Sequence, residues 1–226
     1  METLNMHQPD EVPAAKPSLT ETRNAADHLS TLLSWLLVPL LIPFYATLLL
    51  FGLSPLQGAA PEVKTVVCLI IFAINVALPM ALVYLLKLFG LVNDIGLNQR
   101  RERLIPYIIT ILAFGGSGWF MASKGAPLWV VMFFIGGGVA ALINMLINFR
   151  WKISAHAAAV AGIIAMLIRL RTEWAASESI MTWTIIWILL AGLLGSARIW
   201  LGRHTVWQVL AGYAVGFLSV YLLTMI

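Results

Sequence analysis

Apolar residues fall in seven blocks along this chain, at about 29–53, 65–86, 104–122, 128–147, 153–168, 180–196 and 206–225, divided by short polar segments. All but the fifth reach the length of a membrane-crossing helix, for which about 17–25 apolar residues are needed. None shows the strict alternation of a half-buried strand, and none holds an Asp, Glu, Lys or Arg in its interior. The pattern predicts an all-α polytopic transmembrane helical bundle of six to seven spans, occupying residues 29–226. Residues 1–28 carry five acids, Lys16, Arg23 and three prolines and read as a polar flexible tail. They lack the basic start and immediate apolar run of a signal peptide.

Local signals refine the blocks. Pro39 and Pro43 lie inside the first and predict a kinked helix. The third and fourth are joined by a short turn around Lys124, Gly125 and Pro127 and form a hairpin. At helical rise the fifth is only about 24 Å long, so one of its ends is expected in the headgroup zone. Gly136–Gly138 are expected to loosen the fourth. Gly212 with Gly216, Gly192 with Ser196, and the alanines from Ala155 to Ala161 form small-residue faces. Such faces let membrane helices approach closely and are also candidate homo-oligomer contacts. Trp119, Trp129, Trp151, Trp174, Trp200 and Trp207 lie near block ends, as an interfacial belt does.

Composition narrows the class. Of 226 residues, 61% are hydrophobic and 11% charged, too few charges to cover a water-facing surface when soluble domains carry about 25%. The single cysteine, Cys68, excludes a disulfide scaffold. The expected location is a multi-pass membrane protein, of a bacterial inner membrane, with no nucleic-acid partner.

The placement of the few charges carries more information. If all seven blocks span, Lys87, Arg100, Arg101, Arg103, Arg150, Lys152, Arg198 and Arg203 lie on one side, against Lys64, Lys124, Arg169 and Arg171 on the other. This bias suits the cytoplasmic side of a membrane protein. It equally suits an anion site, and setting Arg100, Arg103 and Arg198 aside as anion ligands leaves almost no bias, so the facing of the site stays open. Two histidines, His156 and His204, each open an apolar helix on that side. Arginine forks match phosphate oxygens, helix N-termini offer unpaired N–H groups, and histidine supplies a nucleophile or proton donor near working pH. Together these parts suit phosphoryl transfer at a membrane interface.

The same residues carry a resemblance. Ser154-Ala155-His156 is similar to the Pro-Ser-Gly-His second motif of the type-2 phosphatidic acid phosphatase superfamily. Arg198, five residues, His204, three residues and Gln208 resemble its third motif, Ser-Arg-x5-His-x3-Asp. Arg100, Arg103 and Pro106 resemble a variant of its first, Lys-x6-Arg-Pro. The resemblance implies an integral membrane phosphatase that hydrolyses a lipid phosphomonoester or diphosphate without metal or cofactor. The substrate classes it implies are phosphatidate, phosphatidylglycerol phosphate or an isoprenyl diphosphate. It implies His204 as nucleophile, His156 as proton donor to the leaving oxygen, and Arg198, Arg100, Arg103 and Ser154 as phosphate-binding groups. Gln208 stands where the family has the aspartate that orients the nucleophile. Its carbonyl still accepts from the imidazole but does not stabilise imidazolium as a carboxylate does. Ala155 and Ala197 replace the usual glycine and serine. A catalytically impaired member that binds or moves an anionic lipid is therefore the alternative, and a b-type haem held by both histidines a third reading.

Overall fold

In the computed structural model the described residues are 25–90, 104–173 and 178–226, and they form eight helices with no strand among them. They are α1 (Ala25–Leu36), α2 (Ile42–Leu53), α3 (Pro61–Leu88), α4 (Leu104–Ser123), α5 (Leu128–Asn148), α6 (Ala155–Glu173), α7 (Glu178–Trp200) and α8 (Val206–Thr224). The last six are long and apolar enough to cross a membrane. Their outward faces are apolar, with Leu112, Leu189, Leu193 and Leu222 largely exposed, as lipid contact requires. Exposed Trp119 sits toward one end of the bundle, and Trp151, Trp200 and Trp207 at the other. Trp174 lies outside the described residues, as does the tail up to residue 24. Residues Ala25–His28 belong to the first turn of α1.

The first apolar block departs from the expected single kinked span. It is two helices of 12 residues each, broken at 37–41. Pro39 has no N–H to offer its preceding turn and its ring clashes there, while Pro43 is tolerated because it falls in the first turn of α2. The pair still covers depth end to end. Asp27 Oδ1 accepts from Trp200 Nε1 at 2.9 Å, and Tyr45 packs on Trp187 with ring centroids 6.3 Å apart, about 20 Å further along α7 at helical rise. α1 has an inverted pattern. Ser34 is buried and Asp27, Ser30 and Thr31 are half-covered, whereas Leu29, Leu32, Trp35 and Leu36 face outward.

The fifth block also runs longer than its apolar residues. α6 continues to Glu173 because Arg169 and Arg171 are at its last turns, where cations suit the helix dipole. Arg169 Nε donates to the Thr224 carbonyl at the end of α8 (2.8 Å) and its guanidinium pairs with Glu173 at 2.6 Å. Helix α3 contains one π-turn, Ala73–Ala77, just before Pro79. Asn75 within it donates to the Ile71 carbonyl (3.0 Å) and to Ser117 Oγ on α4 (2.6 Å), so the polar groups freed by the irregular turn are satisfied inside the protein.

Helix α6 is the centre of the bundle. It packs chiefly on α8, then α7, and Ala157, Ala158, Val160, Ala161, Gly162, Ile163, Ala165, Met166, Leu167 and Leu170 are all buried. Its small residues meet glycines of α8. A methyl group at Gly216 would overlap the Ala158 backbone, and one at Gly212 would press on the Ser154 carbonyl and Ala157. The Gly212–Gly216 face is thus occupied within the chain. Gly136–Gly138 serve packing too, since α5 runs unbroken. A methyl at Gly136 would strike Val220 of α8, and one at Gly137 would strike the Phe114 ring. Gly192 differs, because nothing lies within 4 Å of where its side chain would be.

Candidate functional site

The chain segments around His156 and His204 meet at one end of the bundle. Ser154 N–H donates to the Gln208 carbonyl at 3.2 Å, which ties the start of α6 to the first turn of α8. Ser154 is fully buried. Its Oγ accepts from Ala157 N–H at 3.3 Å and its carbonyl from Ala158 N–H at 3.1 Å. It therefore acts as the N-cap of α6 and positions the two residues that follow it.

The α7–α8 connection is set by Gly202, which has φ of +63°, a left-handed conformation that glycine takes without penalty. Gly202 N–H donates to the Ile199 carbonyl at 2.9 Å. Beyond it the chain folds back, so the Arg198 carbonyl accepts from Arg203 N–H (3.0 Å) and His204 N–H (3.2 Å). The fixed spacing of Arg198 and His204 is thus the length of one helix stop. Arg198 is 9% exposed and His204 6%. A guanidinium this deep needs acceptors around it, and its position in the last turn of α7 adds favourable interaction with the helix dipole.

His204 is oriented by Gln208, and the chemistry fixes the direction of each bond. Thr205 N–H lies 3.2 Å from Gln208 Oε1. A backbone N–H only donates, so the amide atom facing it is the carbonyl oxygen. The same oxygen is 3.1 Å from His204 Nδ1, so Nδ1 carries the proton. In the neutral ring, Nε2 then holds the lone pair. Thr205 Oγ1 accepts from Gln208 N–H at 3.4 Å, which completes a reciprocal capping box at the start of α8. Gln208 therefore caps a helix and selects a histidine tautomer with one oxygen.

His156 has the opposite tautomer. Its Nε2 is 3.2 Å from the Ser34 carbonyl of α1, an acceptor only, so Nε2 carries the proton. In the neutral rings the lone pair is thus on Nε2 of His204 and on Nδ1 of His156. Arg100 and Arg103 lie outside the described residues, as does Arg101. The helix that follows them, α4, begins at this same end of the bundle, antiparallel to α5 (Gly118 meets Phe134 and Ile135; Gly138 meets Phe114).

Several participants were not foreseen. Thr205 with Gln208 is a Thr-x-x-Gln capping box, a signal legible in the sequence, and Gly202 after the last apolar turn of α7 is a recognisable helix stop. Asn144 and Asn148, one turn apart on α5, are buried, as is Tyr107 on α4. Counting along the helices from the Gly136–Val220 contact puts Asn144 level with Gly212 and Asn148 level with Gln208. Polar residues four apart at the end of an apolar block marked them. Ser34 is 122 residues from His156, and no local signal joins the two. No family model, no curated protein and no solved structure matches this chain.

Proposed function

We propose that this multi-pass membrane protein is a lipid phosphate phosphatase of the type-2 phosphatidic acid phosphatase kind. The observation that supports the reading best is the hydrogen bond from His204 to Gln208, one helical turn on. Gln208 holds the His204 proton on Nδ1, so that Nε2 is the nucleophile in this reading, while His156 is held through Nε2 by the Ser34 carbonyl. His204 Nε2 attacks phosphorus, the bond from phosphorus to the lipid oxygen breaks, and His156, as imidazolium with its Nε2–H kept on the Ser34 carbonyl, gives its Nδ1 proton to that oxygen as it leaves. The phosphohistidine is then hydrolysed. His156 takes a proton from water, the water oxygen attacks phosphorus, and the phosphorus–nitrogen bond breaks to release inorganic phosphate. Arg198, with Arg100 and Arg103, neutralises the charge that gathers on the equatorial oxygens. Ser154 acts through its cap on α6. The substrate is a phosphomonoester or diphosphate of a lipid, whose head reaches the site from one leaflet.

The test is phosphate release from a panel of phosphatidate, phosphatidylglycerol phosphate and isoprenyl diphosphate in EDTA, comparing the native chain with His204→Ala. The reading expects release that depends on His204 and a trapped phosphoenzyme. Equal rates from both proteins would remove His204 from the mechanism. Gln208 favours one second reading. A neutral amide gives the imidazolium less support than a carboxylate does, and a member reduced to binding or moving anionic lipid would retain such a residue. That reading expects lipid-phosphate binding that survives His204→Ala and no phosphoenzyme.

A further inference from the structure

The end of α1 sends its carbonyl groups to unusual partners. The last carbonyls of an α-helix have no donor within the helix and must find one elsewhere. The Leu33 carbonyl takes Leu37 N–H at 3.0 Å, as in a continuing helix. The Trp35 carbonyl would need an N–H from residue 39, and Pro39 has none. It takes Val38 N–H instead, at 3.4 Å, which is the group that a continuing helix gives to Ser34. The Leu36 carbonyl accepts from the Tyr45 hydroxyl at 3.0 Å. Ser34 is left to accept from outside its own segment, and the partner is His156 Nε2 in the first turn of α6, 3.2 Å away.

The surroundings make this contact specific. Ser34 is buried, where an unmet carbonyl is costly. Its hydroxyl donates to the Ser30 carbonyl at 2.8 Å, so the main-chain oxygen is the atom that meets the imidazole. Two turns earlier, Asp27 Oδ1 accepts from Trp200 Nε1 at 2.9 Å, two residues past Arg198. Helix α1 is thus tied to α7 beside one site residue and to α6 at another. The position of the break decides which carbonyl is released. A proline one residue earlier or later would release a carbonyl about 100° round the helix, turned away from His156.

We propose that Pro39 is a positioning residue for His156. By ending α1 where it does, it releases the Ser34 carbonyl to hold the ring at Nε2, and so makes Nδ1 the atom that gives a proton to the leaving oxygen and then takes one from water. The catalytic consequence rests on the phosphatase reading, whereas the tautomer does not. With α1 unbroken, the Ser34 carbonyl would return to Val38 N–H, and the neutral His156 ring would hold its proton on either nitrogen.

The full chain in nanodiscs, labelled with nitrogen-15 histidine in a His7→Gln, His28→Gln background, is read by NMR above the pH at which the rings titrate. Protonated and unprotonated ring nitrogens have well separated shifts, and His204→Gln assigns the signals. The expected result is a single His156 tautomer with its proton on Nε2. Pro39→Ala, which restores an N–H for Trp35, should give a mixture, and Pro43→Ala, in the first turn of α2, should not. A native ring that is mixed or protonated on Nδ1, or a single tautomer that survives Pro39→Ala, overturns the proposal. If Pro39→Ala does not fold, Trp35 is replaced by its α-hydroxy acid, which turns the Ser34 carbonyl into a weaker ester acceptor, with the same change at Leu33 as control. Mixing at Trp35 alone supports the proposal, and mixing with both or neither overturns it. On phosphatidate, Pro39→Ala should lower kcat about tenfold, the scale of one hydrogen bond, and no further in a His156→Ala background. An equal loss in that background overturns the proposal, because Pro39 would then act on the fold and not through His156. If the native chain releases no phosphate, the phosphatase reading fails by itself, and the ring shifts decide the role of Pro39.

Discussion

Ser154 and Gln208 are joined backbone to backbone across two helices, the N–H of the first donating to the carbonyl of the second at 3.2 Å. Their side chains have different tasks, capping α6 and orienting His204, but the main-chain bond fixes the register in which those tasks meet. A slip of one residue along α8 would carry His204 away from the α6 N-terminus. The close approach that permits this bond depends on Gly212 and Gly216.

The first prediction concerns that approach. Gly216→Leu should destabilise the protein by about 1–3 kcal/mol or more, the usual effect of overpacking, because the added atoms would enter the Ala158 backbone. Gly192→Ala should have no such effect, since its side-chain position is open. Thermal unfolding of both variants in the same detergent checks the contrast.

Gln208 supplies the second. Gln208→Leu removes the acceptor for His204 Nδ1 and for Thr205 N–H. A lost hydrogen bond of about 1 to 1.5 kcal/mol corresponds to about a tenfold fall in rate. Gln208→Glu keeps the acceptor and adds a negative charge beside the imidazole, which favours its protonated form. On the phosphatase reading His204 attacks unprotonated, so the acidic limb of the pH–rate profile should move to higher pH, by about one unit or more. A limb that stays in place would separate His204 from the titrating group.

Gly202 gives the third. Nothing lies within 4 Å of its side-chain position, so Gly202→Ala tests conformation alone. The left-handed backbone should cost about 1–2 kcal/mol, and Gly202→Asn, which tolerates that conformation better, should lose less. The measurement is unfolding free energy alongside phosphatase rate, and the rate should fall with stability because Arg198 and His204 are spaced by this turn.

A fourth prediction concerns Asn75 and Ser117, which bond at 2.6 Å between α3 and α4. A double-mutant cycle with Asn75→Leu and Ser117→Ala should give a coupling of about 0.6 kcal/mol, the average for such bonds between membrane helices, and no more than about 1.7 kcal/mol. A coupling near zero would mean that each group finds other partners.

The helices were legible wherever hydrophobicity and turn chemistry agreed. The block at 128–147 became Leu128–Asn148 and the one at 104–122 became Leu104–Ser123, because Pro127 and Gly125 punctuate the hairpin. Apolar length failed where polar residues continue a helix, as at Arg169 and Arg171 in α6, and where proline breaks one, as at Pro39. The order of Arg198, His204 and Gln208 along the chain announced their grouping, since a helix stop and one helical turn relate them. Ser34 beneath His156 and Asn148 level with Gln208 depend on packing between distant segments, and no pattern within either segment specifies that.

The filled middle of the bundle has a consequence for direction. Phe134, Ile163, Leu167 and Leu194 have no exposed surface and Val220 almost none, so apolar side chains are packed between the two ends of the helices at these levels. Any chemistry proposed at the His204 end would therefore communicate with one compartment. Lipid heads would be drawn from a single leaflet, and released phosphate would return to the water that borders it. On the proposed phosphatase reading, the charge of one membrane surface would change and the other would be left untouched.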